Sequence, residues 1–176
     1  MGYVSATHKR MDHVVREVAT LPQSVRPCLV LLGQQDDSTE GVRRLATDLL
    51  GPQGFRIASV GYEQVKTYYG AADCFVLASL KEGFGRVLLE ASMHGLPCLV
   101  DDNPVMRYVL GVVGVFVNMG QTGDLAAQLR DAACWRSDQE ARLGRFHHVV
   151  KGFSWQALEA QYVQMLKHTQ ATGRRA

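Results

Sequence analysis

The sequence predicts an α/β fold, a doubly wound parallel sheet of about six strands followed by a helical extension at the carboxyl end. Three observations predict it. Short β-rich apolar runs alternate with longer segments of helical period through most of the 176 residues, the pattern of βαβ units on a mostly parallel sheet. Glycine and proline punctuate the alternation at Gly33, Gly51-Pro52, Gly61, Gly95 with Pro97, and Gly111, where turns are needed. Beyond Asp124 the pattern is helical to the end.

Taken in order, strands are expected at residues 3–6, 28–33, 55–60, 73–78, 97–100 and 114–117. After the first, Met11, Val14, Val15 and Val18 share one helical face, and after the second Val42, Leu45, Leu49 and Leu50 share another. Both helices are expected to pack on the sheet. Tyr68 and Tyr69 brace the helix before the strand at 73–78. The final helices are expected at 125–133, 138–150 and 154–168, the last beginning after a Phe153-Ser154-Trp155 corner with Ser154 as its cap. Residues 169–176 are polar and are expected to form a disordered tail. No internal repeat is visible, and 1–168 reads as a single Rossmann-like domain, with enough apolar residues for a core of its own.

Composition narrows the function. The formal charge is +2, from scattered Lys and Arg with no dense block except Arg174-Arg175. That argues against a nucleic-acid groove and suits small anionic ligands. Cys28, Cys74, Cys98 and Cys134 lie far apart, without a C-x-x-C pair or His at metal-ligand spacing. They read as buried thiols in a reducing compartment. No apolar run approaches the roughly 18 residues that span a bilayer, and the amino terminus lacks the regions of a signal peptide. A cytoplasmic protein is expected.

The stretch ADCFVLASLKEGFGRVLLEA, residues 72–91, carries the chemistry. A strand runs into a glycine-flanked turn and then into a helix starting at Phe84 or Gly85, with Val87, Leu88 and Ala91 toward the sheet. The turn therefore lies at the carboxyl edge, where open α/β folds bind ligands. Gly83 and Gly85 let a ligand approach the free N–H groups of Phe84, Gly85, Arg86 and Val87, where the helix dipole favours an anion such as phosphate. Glu82 and Glu90 flank that position and suit hydroxyls on either side of it, as in a nucleotide sugar. The same spacing also fits a first-turn acid at Glu82 and a solvent-facing helical residue at Glu90.

The whole stretch from Tyr68 through Val100 resembles the donor-binding, carboxy-terminal domain of the retaining GT-B glycosyltransferases, most closely family 4, of group 1 type. Its order of tyrosine, alanine-aspartate, apolar strand, E-G-F-G, E-x7-E and G-L-P matches. So do HKRMDHVV, NPVMRYVLGVVGVFVN and GFSW. The resemblance implies that Glu82 touches the transferred sugar and has the catalytic role, its charge steadying an oxocarbenium-like centre. It implies that Glu90 grips the ribose, that the backbone of Phe84, Gly85, Arg86 and Val87 holds sugar and diphosphate, and that Lys9 neutralises the leaving diphosphate as a point charge. Residues 59–62 lie where the family contacts the base. No cofactor and no metal are implied, and Asp36-Asp37 and Asp101-Asp102 read as turn acids.

Two departures stand out. Ser5, Ala6 and Thr7 occupy the place of a family arginine that clamps the diphosphate, and Tyr108 replaces a family acid. The implied partners are a UDP- or GDP-hexose and an amino-terminal acceptor domain, expected to lie outside this chain. Peripheral membrane association through a full-length enzyme is a further expectation. The activity implied is hexosyl transfer in glycan, polysaccharide or glycolipid synthesis, with this fragment alone expected to be inactive. A non-catalytic module that has lost donor binding is the alternative, and a phosphorylase or epimerase relative a third reading. His8, His94, His147 and His148 are expected at the surface or in packing, Trp155 as a packing anchor, and Met93 and Met119 as core or loop fillers.

Overall fold

The computed structural model describes residues 4–6, 8–130, 135 and 138–173. Among these the strands are β1 (Leu29–Leu32), β2 (Phe55–Ala58), β3 (Phe75–Leu77), β4 (Cys98–Asp101) and β5 (Val115–Val117). The helices are α1 (Met11–Ala19), α2 (Asp37–Leu50), α3 (Tyr62–Ala71), α4 (Arg86–Met93), α5 (Pro104–Leu110), α6 (Asp124–Leu129), α7 (Gln139–Phe153) and α8 (Trp155–Gly173).

All strand pairs are parallel. β1 pairs β2 with Leu29 opposite Phe55, and β4 sits between β3 and β5, with Phe75 opposite Cys98 and Leu99 opposite Val115. The five strands thus form two ladders rather than one sheet of six. The strand expected at 3–6 is missing from the described part of that range: Val4 N donates to Gln34 O at 2.9 Å, but the Ser5 carbonyl accepts from Met11 N at 3.1 Å. That carbonyl is spent on the turn into α1, so no ladder develops beside β1. Tyr3 lies outside the described residues.

β4 divides the core by its pleat. Leu99 belongs to the cluster containing Val14 and Val18 of α1 and Leu125 and Leu129 of α6. Cys98 and Val100 face the other way, toward Val65 and Tyr69 of α3, Leu88 and Ala91 of α4, and Met106, Val109 and Leu110 of α5. Alternate residues of a strand point to opposite faces, so this one strand carries helices on both sides, as the doubly wound expectation requires. A third cluster joins Val4, Val15, Leu31, Val42 and Ala46.

Local chemistry sets the helix ends. Asp36 and Thr39 form a capping box at α2, and Asn103 Oδ1 accepts from Met106 N with Pro104 in the first turn of α5. Ser154 Oγ accepts from Ala157 N at 3.2 Å, the cap expected from the sequence. α7 lies on the end of α4 through Arg142 to the His94 carbonyl and Arg145 to the Gly95 carbonyl.

The end of the chain departs from expectation. α8 continues five residues beyond His168, so the expected tail is helical as far as Gly173. Residues 174–176 lie outside the described part. The hydroxyls of Thr169 and Thr172 bond back to the carbonyls of Met165 and His168, and nothing before Gly173 breaks the helix. Trp155 is 60% exposed, resting on Tyr162 rather than anchoring the core. Cys28 is also exposed, whereas Cys74 is half-buried and Cys98 buried; Cys134 lies outside the described residues. No described helix is long and apolar enough to cross a membrane.

Candidate functional site

Beyond β3 the chain passes through Ala78 and Ser79, both buried, and emerges at Leu80, the start of a turn ending in α4. Gly85 is the residue before α4 and takes φ 79°, ψ 52°. A Cβ there would lie 2.9 Å from Leu88 Cδ1, and left-handed backbone disfavours any side chain. Gly85 O accepts from Leu88 N at 2.8 Å. Ahead of that bond, the N–H groups of Arg86 and Val87 have no acceptor within the helix and point toward the turn. Phe84 packs edge-on against Phe153, at 5.8 Å between ring centres, which ties this turn to the end of α7.

Lys9 reaches the same turn from the segment leading into α1. Its Nζ lies 2.7 Å from Glu82 Oε2, with the two side chains 28% and 20% exposed. Arg10 follows in left-handed backbone, φ 46° and ψ 42°, and its guanidinium donates to Met119 O at 2.6 Å. Met119 N in turn donates to Asp101 Oδ1 at 3.2 Å, and Asn103 Nδ2 to Asp101 Oδ2 at 3.1 Å. The connections after β3, β4 and β5 and the residues before α1 thus meet at one rim. Asp101 braces that rim, a role beyond that of a turn acid. Asp102 binds Arg107 at 2.5 and 2.7 Å, and those bonds hold its carboxyl below the usual range.

Two hollows open near α4. The first, of about 470 Å³, lies between residues 80–83 and 103–105 and includes Glu82. The second, of about 380 Å³, lies between α3 and α4 and is lined by Tyr62, Tyr69, Glu90, Met93 and His94 among others. Glu90 Oε2 accepts from the Tyr69 hydroxyl at 3.2 Å. Burial first, and the Glu90 charge second, push the Tyr69 phenol well above its ordinary value, so it stays a donor. The structure therefore brings Lys9 and Glu82 together and places Glu90 on a separate hollow, with the first turn of α4 between the two acids in the chain. Arg86 is exposed and Val87 half-buried in that turn. Of residues 59–62, Tyr62 reaches the second hollow.

The histidines fall as expected. His8 and His147 are exposed, His94 Nδ1 donates to the Glu90 carbonyl at 2.9 Å, and His148 Nε2 donates to Val109 O at 2.9 Å. Met119 is buried, while Met93 is 43% exposed on the second hollow.

Sequence reasoning missed four groups. Glu17 is 1% exposed, and its carboxylate accepts from Gly123 N at 2.9 and 3.0 Å and Ala126 N at 3.0 Å, capping α6 from α1. Asp101 holds the rim. The buried His13 and Ser79 each keep a side-chain polar atom without a hydrogen-bond partner; burial and then Arg10 lower the His13 pKa. Among the described residues, no three His, Cys, Asp or Glu side chains converge as a metal-holding group.

The family model described as Glycosyl transferases group 1 matches residues 1–133. The lipopolysaccharide core biosynthesis glycosyltransferase LpsE of Rhizobium meliloti (strain 1021) is 28% identical over 162 residues, which cover 90% of this chain and 46% of that protein. Among solved structures, sucrose-phosphate synthase of Thermosynechococcus elongatus superposes with a TM-score of 0.77 at 23% identity, over 94% of this chain and 43% of that one. Anabaena Alr3699/HepE, solved in complex with UDP and glucose, superposes with a TM-score of 0.79 at 18% identity, over 95% of this chain and 47% of that one. At those identities the structural likeness is one of fold, and the chain spans less than half the length of each of these proteins.

Proposed function

The chain belongs to the glycosyl transferases group 1 family, and from that premise we propose that it forms the donor-binding half of a retaining enzyme that moves a hexose from a nucleoside diphosphate sugar to an acceptor. Its fold is that of GT-B glycosyltransferases. The observation that carries the reading is the meeting of Lys9 and Glu82, 73 residues apart, at the amino end of α4 beside an open hollow.

In this reading the diphosphate lies across the first turn of α4. The N–H groups of Phe84, Gly85, Arg86 and Val87 and the Lys9 ammonium take up the charge that grows on the leaving oxygen as the bond to the sugar's anomeric carbon breaks. Glu82 accepts from hydroxyls of the sugar in the first hollow and offsets positive charge at the anomeric carbon. Glu90, aimed by Tyr69, accepts from the ribose hydroxyls at the second hollow. The charge is met by Lys9 and the helix end, with no step assigned to a metal. The acceptor hydroxyl comes from a separate domain. Its positioning supplies up to roughly 7–11 kcal/mol of such a reaction's barrier lowering, so this chain alone binds donor and transfers poorly. The family and the named role of LpsE support polysaccharide or lipopolysaccharide synthesis as the setting. The free thiols at Cys28, Cys74 and Cys98 support a reducing, cytoplasmic compartment.

A thermal-shift panel of UDP-, GDP- and ADP-sugars tests the reading. A ligand held only by the native chain at a hundred times its Kd stabilises it by about 2.7 kcal/mol. Amides of residues 82–90 should shift with the same ligand, and Glu90→Ala should weaken binding. Unchanged amides at saturating nucleotide would sink it.

A further inference from the structure

We propose that Glu82 discriminates the sugar-loaded donor from the spent nucleoside diphosphate, because it is the anion paired with Lys9, the cation that a diphosphate would take. The inference rests on the donor-binding reading above and concerns the order of preference at that site.

The geometry is a competition for one cation. Lys9 Nζ is 2.7 Å from Glu82 Oε2, both side chains are largely withdrawn from water, and among the described residues each is the other's sole side-chain partner. Arg10, its neighbour, is turned away to the Met119 carbonyl. No arginine stands at positions 5–7 to share the load. A phosphate that takes Lys9 therefore breaks the pair and leaves the Glu82 carboxylate on the wall of the first hollow, facing a newly arrived anion.

What happens next depends on what the phosphate carries. A carboxylate can only accept hydrogen bonds, and a bare diphosphate brings acceptors and negative charge. Glu82 then loses its partner and gains a repulsive neighbour. A diphosphate joined to a hexose brings several hydroxyl donors into the same hollow, and charge-assisted bonds to Glu82 replace the one surrendered by Lys9. Glu82 thus penalises the product and spares the donor, which favours release of the diphosphate once the sugar has left. A Glu82 that merely attracts sugar would weaken donor binding when removed and leave diphosphate binding unchanged.

Titration calorimetry on the 176-residue chain with UDP, GDP, UDP-glucose and GDP-mannose decides between these. For the nucleotide that binds, Glu82→Gln should tighten the bare diphosphate by roughly 3- to 10-fold and should not tighten the sugar-bearing form as much. In a Lys9→Met background the same change should tighten the diphosphate less, since the competition is gone. Thermal unfolding of each variant checks the fold, and Glu82→Ala repeats the comparison if the glutamine variant is unstable. Unchanged or weaker diphosphate binding by Glu82→Gln, with wild-type binding measurable, overturns the inference and leaves the donor-binding reading standing. Equal tightening in both backgrounds also overturns it, because Lys9 would have no part. A wild-type chain that binds none of the four ligands overturns both.

Discussion

The Tyr69 hydroxyl donates to Glu90 Oε2 at 3.2 Å, joining α3 to α4 at the mouth of the second hollow. Tyr69 is itself fixed, 7% exposed, edge-on to Phe75 at 5.8 Å and tilted against His94 at 5.3 Å. A rigid phenol thus aims a half-buried carboxylate.

Tyr69→Phe keeps the ring and removes the donor. We expect about 0.5–1.5 kcal/mol of lost stability and a several-fold weaker nucleoside diphosphate sugar, measured by urea unfolding and by titration. Alkali supplies a second readout. The folded phenol titrates above its unfolded value of 10.0, so the folded state holds the proton longer, and stability falls as pH rises past that value. Tyr69→Phe should flatten that part of the slope.

Gly85→Ala puts a side chain into left-handed backbone and a methyl 2.9 Å from Leu88 Cδ1. A cost of about 1–2 kcal/mol in stability follows, and diphosphate affinity should fall as the first turn of α4 shifts. Gly83→Ala, where no atom beyond its two chain neighbours lies within 4 Å of the added carbon, serves as control and should leave stability nearly unchanged.

Arg10 combines a strained backbone with a bond to Met119 O. Arg10→Ala loses the bond and keeps the strain, while Arg10→Gly loses the bond and relieves it. Glycine should therefore be more stable than alanine by about 1 kcal/mol. Equal stabilities in urea would mean that the strain is absent in solution.

Thiol alkylation at pH 8 should follow burial. Cys28 is exposed and should react first. Burial pushes the Cys74 thiol up to about 11 and the fully buried Cys98 thiol up to about 12, so both stay protonated and unreactive. Peptide mass mapping distinguishes the sites. Fast modification of Cys98 in the native state would contradict the packing around β4.

Much of this was legible in the sequence where neighbours in the chain determine the outcome. The run at 97–100 is apolar throughout because β4 is covered on both faces, and Ser154 caps through a residue three positions away. Contacts between distant segments left no such trace. Glu17 stands one residue before Val18 on an amphipathic helix, yet it caps amides more than a hundred residues later. Lys9 and Glu82 were nameable one at a time from the motif they resemble, but their pairing was not. Trp155 has the composition of a packing anchor, whereas its helix leaves Tyr162, Met165 and Leu166 exposed alongside it.

The first hollow has unequal jaws. Residues 103–105 sit directly after β4 and are fastened through Asn103 to Asp101, which also grips Met119 N. Among the described residues, the opposite jaw at 80–83 takes a single side-chain bond, the one from Lys9. Variation at 103–105 therefore changes the chemistry of a fixed wall, while variation at 80–83 changes the contour of a compliant one. Altered sugar preference is most readily reached through the second.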